Sequence, residues 1–326
     1  MITGVQPTGC FTLANYIGAI KNFVKLQEEY DSFIFIADLH GITSYQNPQK
    51  IHDTILDLAA LYMACGVDSK YTKFFIQSDV NEHSVLGYLI AFQCRVGELS
   101  RMTQYKSKKE KLGNNGIDLG LFIYPTLMAA DILLYDAAVV PVGDDQRQHI
   151  EMTRDLGERF NKRYGETFIL PDYYIPKVGA RILNLQNPSE KMSKSAPIDD
   201  KGTIFILDDV NITKKKILSS VTDSDCRIMF DMERKPGISN LITIMAVILD
   251  KSIKEIEVKY ENSNYGSFKK DLAEIVGEFI IKIQEKFNYY RNSNDLFNVL
   301  EDGKKAACEV AGKKLMSVRE KMGIYK

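Results

Sequence analysis

The sequence predicts an α/β fold in two parts: a doubly wound parallel sheet, then an all-helical C-terminal region. Three observations predict it. Residues 33–37 (Phe-Ile-Phe-Ile-Ala), 73–77 (Lys-Phe-Phe-Ile-Gln) and 138–142 (Ala-Val-Val-Pro-Val) are short apolar runs, suited to strands buried on both faces. Helical periodicities lie between them: Ile17, Ile20, Phe23, Val24 and Gln27 on one face, and Ile51, Ile55, Leu58, Ala59, Tyr62 and Met63 on another. Strand, helix, strand, helix implies parallel pairing with right-handed crossovers. After about Asn184 the strand signal stops, apart from 203–207 (Thr-Ile-Phe-Ile-Leu). Helical patterns then fill 211–220, 239–249, 268–290 and 295–322. The polar loop 185–201, with Pro188 and Pro197, is the expected junction. The expected division is a Rossmann-like domain over 1–185 and a helical domain over 186–299, with the helix at about 300–326 packing back onto the first.

Bulk properties bound the function. A chain of 326 residues suggests two domains, and 45% hydrophobic with 26% charged residues is a globular composition. No stretch approaches the roughly 18 consecutive apolar residues of a membrane span. The start, Met1-Ile2-Thr3-Gly4, has neither the basic nor the apolar region of a secretory signal. Cys10, Cys65, Cys94, Cys226 and Cys308 are odd in number and lack metal-ligand spacing, so they read as reduced thiols in a cytoplasmic protein without a zinc or iron–sulfur site. Lys+Arg (42) and Asp+Glu (43) nearly cancel, so net charge neither supports nor excludes RNA, and nothing calls for DNA or a membrane. The runs Lys214-Lys215-Lys216, Lys304-Lys305 and Lys313-Lys314, with Arg319, are at their plainest solvated helix faces.

Doubly wound sheets bind ligands at the carboxyl ends of their strands, which directs attention to the segments just after each run. Lys191-Met192-Ser193-Lys194-Ser195 places two ammonium groups and two hydroxyls on a polar loop, a clamp suited to a polyphosphate; a solvated basic loop is the alternative. Near the N-terminus, Gly4-Val5-Gln6-Pro7-Thr8-Gly9 followed by Thr12-Leu13-Ala14-Asn15 is a glycine-rich turn entering a helix, where free N–H groups attract phosphate. In Tyr124-Pro125-Thr126-Leu127-Met128-Ala129-Ala130-Asp131 one acid interrupts an apolar helix and requires a donor. That donor is either a backbone N–H, Arg or Lys, or a ligand. Pro141-Val142-Gly143-Asp144-Asp145-Gln146 passes from a strand end into a helix; its acids suit ribose hydroxyls or a helix N-cap.

Together these segments resemble the tryptophanyl-tRNA synthetases, a branch of the class I aminoacyl-tRNA synthetase family, over nearly the whole chain. The five-residue KMSKS loop and the Gln-Pro-Thr-Gly turn are the nucleotide signatures. The segment from Tyr124 to Tyr135 is similar to the family's tryptophan pocket nearly letter for letter. Ala14 stands where the family usually has glycine, Asp144 where it has glutamate, and Ile2 where an aromatic residue often closes the pocket.

The resemblance implies a tryptophan-tRNA ligase that uses ATP, Mg²⁺, L-tryptophan and tRNA(Trp), and a homodimer paired through the helices at 86–102 and 119–134. The carboxylate of tryptophan would attack the α-phosphorus of ATP, and the adenylate would pass to the terminal ribose of tRNA, at the 2′ position. It implies that Lys108, Lys191 and Lys194 neutralise charge on the phosphates. Gln6, Pro7, Thr8, Thr12, Ala14, Asn15, Gly143, Asp144, Asp145, Ile182, Met192, Ser193 and Ser195 would complete the ATP site. Asp131 would accept the indole N–H, with Met128, Val140 and Val142 lining the ring, and Tyr124, Gln146 and His40 completing the pocket. An acceptor left unpaired by the wrong substrate supplies roughly 10⁴ to 10⁵ in selectivity, far more than an apolar slot. The helical domain would hold the anticodon, whose unpaired bases can be read singly. Competing readings are the sister enzyme for tyrosine, a silent RNA-binding paralogue and a small-molecule nucleotidyltransferase on the same fold.

Overall fold

The computed structural model describes residues 1–43, 47–112, 118–143, 146–174 and 181–324, without the side chains of Lys108, Lys111 and Leu112. Strand β1 (Ile2–Val5) pairs in parallel with β2 (Ser32–Ile36), with Ile2 opposite Phe33. β2 pairs in parallel with β3 (Thr72–Ile76), with Ser32 opposite Thr72. All five residues of β2 are buried, as its unbroken apolar run requires of a central strand. A second parallel pair, β4 (Val139–Pro141) with β5 (Asp172–Tyr174), stands beside β1. The spatial order β3-β2-β1-β4-β5 reverses between β1 and β4. Ligands bind at such a reversal, beyond the carboxyl ends of the strands. The turn after Val5 and the segment after Pro141 both open there.

Helix α1 (Leu13–Asn15) runs through a π-helical turn (Tyr16–Ile20) into α2 (Lys21–Leu26). Its start is a reciprocal cap: Thr12 Oγ1 accepts from Asn15 N–H (3.2 Å), and Asn15 Oδ1 accepts from Thr12 N–H (3.0 Å). Next come α3 (Asp38–Gly41), α4 (Pro48–Ala64), α5 (Glu82–Ala91), α6 (Val96–Leu99), α7 (Thr103–Leu112), α8 (Leu119–Leu133) and α9 (Arg147–Tyr164). Pro48 begins α4 behind Asn47, whose side chain accepts from Gln49 N–H; both residues are where a helix start tolerates them.

The C-terminal half holds α10 (Val210–Leu218), α11 (Pro236–Leu249), α12 (Ile253–Tyr260), α13 (Tyr265–Asn292) and α14 (Asn294–Lys321). The 203–207 run is no sheet strand among the described residues. It makes an isolated antiparallel bridge instead, with Leu13 N–H on Ile204 O (2.9 Å) and Ile206 N–H on Phe11 O (3.0 Å), which holds the start of α1. Its apolar alternation buries Ile204 and Ile206 against the helices rather than in a sheet. The polar, three-residue β5 carries no strand signal, whereas α12, outside the expected helices, has a legible start in the reciprocal cap of Ser252 and Glu255 and an apolar face of Ile256 and Tyr260.

One core runs from the sheet into the helices, joining Ile34, Ile36 and Phe74 to Ile204, Ile242, Val276 and Ile280. A second joins Phe33 and Phe35 to α8, α9 and the apolar stripe of α14: Ala307, Ala311, Leu315 and Val318. Helix α14 lies directly on β3 at Gly303, where an added Cβ would sit 2.0 Å from the Phe74 carbonyl oxygen. No single helix is long and apolar enough to cross a membrane. One bent pair, α11 with α12, passes by length and composition only, and most of α11 is core.

Candidate active site

The turn after β1 and the Lys-Met-Ser-Lys-Ser loop, far apart in the chain, close on one another. Cys10 N–H donates to Lys194 O (3.1 Å), and Lys194 Nζ donates to Thr8 Oγ1 (3.2 Å). Gly9 makes this approach possible, with φ +74° and the Lys194 carbonyl so near that a Cβ would lie 2.6 Å from its oxygen. Pro7 is buried against Gly41, where a Cβ would lie 3.4 Å from the Pro7 ring, so the turn also abuts α3. Gln6 is exposed, and its carbonyl accepts from Thr8 N–H (2.8 Å). Thr12 and Ala14 are buried and Asn15 half-buried.

The loop itself is anchored at its second residue. Met192 is buried in the core, and its N–H donates to Ile182 O (3.0 Å); Lys191 bridges Leu183 and is exposed. Ser193 Oγ accepts from Ser195 N–H (3.2 Å), and both side chains are exposed. Half-buried Lys194 is different. Burial lowers its pKa, because its ammonium has lost water, and among the described residues no carboxylate pairs with it. A partly desolvated cation beside a turn of N–H groups and a hydroxyl suits a phosphate oxygen.

A second cluster surrounds Asp131, which is 2% exposed. His40 Nε2 meets its Oδ2 at 2.7 Å; Gln77 Nε2 and His83 Nδ1 meet its Oδ1 at 2.7 and 2.6 Å. Tyr135 OH meets His83 Nε2 at 2.8 Å. Burial alone would raise the Asp131 pKa, but the two histidines outweigh it and hold the carboxyl down at about 2. The required donors are therefore histidine and glutamine side chains, not the Arg, Lys or backbone N–H offered by the sequence. The reason is spatial: α3, the turn after β3 and α5 converge on α8.

Tyr124, about two helical turns before Asp131, stands edge-on to the His40 ring (centroids 6.1 Å, 85°) and bonds His149 Nε2 (2.7 Å). Burial pushes its hydroxyl up to about 12, so it remains a neutral donor and acceptor. Met128, Val140 and Val142 pack in the same apolar cluster as Ala129 and Ile132. Gly143, exposed at the end of β4, accepts from Gln146 N–H (2.9 Å), and Gln146 leads into α9. Asp144 and Asp145 lie outside the described residues, as does the side chain of Lys108, whose backbone is in α7.

The structure adds four residues to the sequence-derived set: Gln77, His83, Tyr135 and His149. Gln77 follows β3 directly, at the strand-end position where ligand chemistry collects, and that was its available signal. Tyr135 closes the segment that resembles the family's pocket, and His83 carried no signal. The lysine runs also differ from free solvated faces. Lys216 is buried on Asp208 (2.7 Å) and Thr203 O (2.7 Å), Lys214 pairs with Glu274 (2.5 Å), and Lys314 with Asp136 (2.7 Å). Lys313 pairs with Glu309 (2.6 Å) along its helix. Much of this positive charge is spent inside the chain. Among the described residues, no group of three or more His, Cys, Asp or Glu could hold a metal ion.

Comparison with known proteins agrees with this fold. The tryptophan–tRNA ligase of Bacillus anthracis is 49% identical over 324 residues, covering 99% of this chain and 98% of that protein. That of Bacillus subtilis is 46% identical, with 99% and 97% covered. Among solved structures, tryptophanyl-tRNA synthetase from Mycoplasma pneumoniae superposes with TM-score 0.88 at 36% identity, covering 99% of this chain and 96% of that one. The Campylobacter jejuni synthetase, solved with ADP and tryptophan, gives 0.84 at 37%, with 99% of each covered. Residues 1–280 match the model of the family described as tRNA synthetases class I (W and Y). A chain with this reversed parallel sheet, this clamp and these relatives belongs to the class I aminoacyl-tRNA synthetases of the tryptophan and tyrosine branch.

Proposed function

We propose that this protein is a tryptophan–tRNA ligase, which activates L-tryptophan with ATP and transfers it to tRNA(Trp). The observation that carries the reading is the contact of Lys194 with Thr8 and Cys10, which joins both nucleotide signatures into one cradle beside the Asp131 cluster. Activation asks for positioning and charge stabilisation rather than acid–base chemistry. Lys194 and Lys191, with Lys108, would meet the phosphates; the Thr8 hydroxyl beside Lys194 would supply a further donor. Ile182, Met192, Ser193 and Ser195 form the wall of the loop, while Gly143, Asp144 and Asp145 would face the ribose. Gln146 would hold the main-chain end of tryptophan, and Asp131 the indole N–H, within a slot of Met128, Val140 and Val142.

The described residues offer lysines and hydroxyls to phosphate oxygens rather than a carboxylate set to a resident cation. Mg²⁺ would arrive on ATP and supply further neutralisation of its phosphates. The 2′ hydroxyl of the terminal tRNA ribose is the expected acceptor. The helical region would hold the anticodon, through exposed residues such as Lys215 more than through its paired lysines. A homodimer is supported by Val85, Tyr88, Phe92, Leu119 and Ile123, large apolar residues left exposed on the packed helices α5 and α8. The cytoplasm is the expected compartment, consistent with five unpaired cysteines. The relatives, tryptophan–tRNA ligases at 46–49% identity, favour tryptophan over tyrosine, and the buried Asp131 carboxylate would accept its indole N–H.

The test is ATP–pyrophosphate exchange with each standard amino acid. Exchange with tryptophan alone is expected. Exchange with tyrosine would transfer the activity to the sister enzyme, and none at all would make the chain an RNA-binding paralogue.

A further inference from the structure

The two oxygens of Asp131 are not equivalent. A carboxylate offers about four lone-pair sites, two on each oxygen. Oδ1 meets two donors, Gln77 Nε2 at 2.7 Å and His83 Nδ1 at 2.6 Å, so its capacity is filled. Oδ2 meets one, His40 Nε2 at 2.7 Å, and among the described residues has one site left. The filled oxygen faces the core: Gln77 and His83 are both fully buried. The open oxygen lies on the side of His40, whose ring stands edge-on to Tyr124 in the proposed pocket.

His83 is itself oriented. Tyr135 OH lies 2.8 Å from its Nε2. With Asp131 accepting at Nδ1, His83 carries its proton there, and Nε2 accepts from the tyrosine. Both ring nitrogens then have a partner. Gln77 must likewise turn its amide N–H₂ to the carboxylate, which leaves its buried Oε1 without a described partner.

We infer that His83 and Gln77 are positioning residues for substrate selection: by saturating Oδ1 they leave Oδ2 as the acceptor for the indole N–H. The inference rests on the reading of Asp131 as the indole acceptor. Neither residue touches the substrate. Each acts by fixing the direction of the carboxylate's open site, since a carboxylate free to turn would present either oxygen and lose alignment.

The experiment compares calorimetric Kd values for L-tryptophan and for its benzothiophene analogue, a ring of similar shape with sulfur in place of N–H. The ratio of the two reads the N–H contact alone. In His83→Leu and in Gln77→Leu the preference for tryptophan is expected to fall by about tenfold, through weaker tryptophan binding, with KM for ATP unmoved. His83→Asn, whose amide N–H₂ can occupy the Nδ1 position, is expected to restore it. Equal weakening of both ligands in the leucine variants would mean that His83 and Gln77 serve only packing, and overturns the inference. Asp131→Ala separates the underlying reading: if it leaves the ratio unchanged, Asp131 is not the acceptor; if it abolishes the ratio while the leucine variants do not, only the positioning role fails. Should a variant not fold, the ¹⁵N shifts of the wild-type histidines decide. His83 protonated on Nδ1 is expected, and the opposite tautomer refutes the proposal.

Discussion

Gly9 and Lys194 are packed so closely that no side chain fits between them: a Cβ on Gly9 would lie 2.6 Å from the Lys194 carbonyl oxygen. The Gly9 backbone also has φ +74°, where a Cβ is strained by roughly 1–2 kcal/mol. Gly9→Ala therefore pushes the loop off the turn. Exchange measured against ATP concentration should show kcat/KM for ATP lowered about tenfold, while the rest of the chain, whose core the turn does not supply, keeps its circular dichroism.

Lys194 opposes stability and function. Its lowered pKa records a cation that has lost water and, among the described residues, meets the Thr8 hydroxyl rather than a carboxylate. Lys194→Met keeps the stem and removes the charge. Exchange should fall by about 10²- to 10³-fold, as when one preorganised donor to a developing charge is lost. Thermal unfolding should show Tm unchanged or raised, the sign of a residue kept for its ligand.

Asp131 makes the opposite bargain. Its removal orphans His40, Gln77 and His83 together, so Asp131→Ala should lower unfolding free energy by about 3–5 kcal/mol as well as weaken tryptophan binding. The pH dependence follows from the sign of the shift. A carboxyl held at about 2 in the folded chain, against an ordinary 3.8, contributes stability fully present above about pH 4 and lost as pH falls through about 2. Urea titrations from pH 5 to 2 should show the gap between wild type and Asp131→Asn narrowing across that window.

Gly303 is where α14 crosses β3, with an added Cβ 2.0 Å from the Phe74 carbonyl oxygen. Backbone cannot move aside as a side chain can. Gly303→Ala should cost about 3 kcal/mol through overpacking, read as a lowered Tm, yet leave KM for tryptophan and ATP unchanged in the folded fraction.

Much of the fold and the site can be read along the chain. The runs 33–37 and 73–77 became β2 and β3, because a strand buried on both faces must be apolar at every position. The 138–142 run became β4, and the periodic faces became α4, α13 and α14. The 203–207 run shows the limit. Its alternation is that of a strand, yet whether a strand forms depends on a neighbour to pair with, and Thr12 offers one bridge only.

By itself the sequence determined the resemblance to a synthetase family and the segments proposed to carry its chemistry: the turn at 4–9, the loop at 191–195 and the helix around Asp131. These are local patterns, set by the conformation and polarity of adjacent residues. Only the tertiary structure decided what each meets. Lys194 finds Thr8 across 186 positions, and Asp131 finds His40, Gln77 and His83 across 91, 54 and 48. A lysine on a helix reads the same whether it faces water or, like Lys216, a buried aspartate. Long-range partners are chosen by how the sheet reverses between β1 and β4 and how the helices pack across it, and no local pattern encodes that choice.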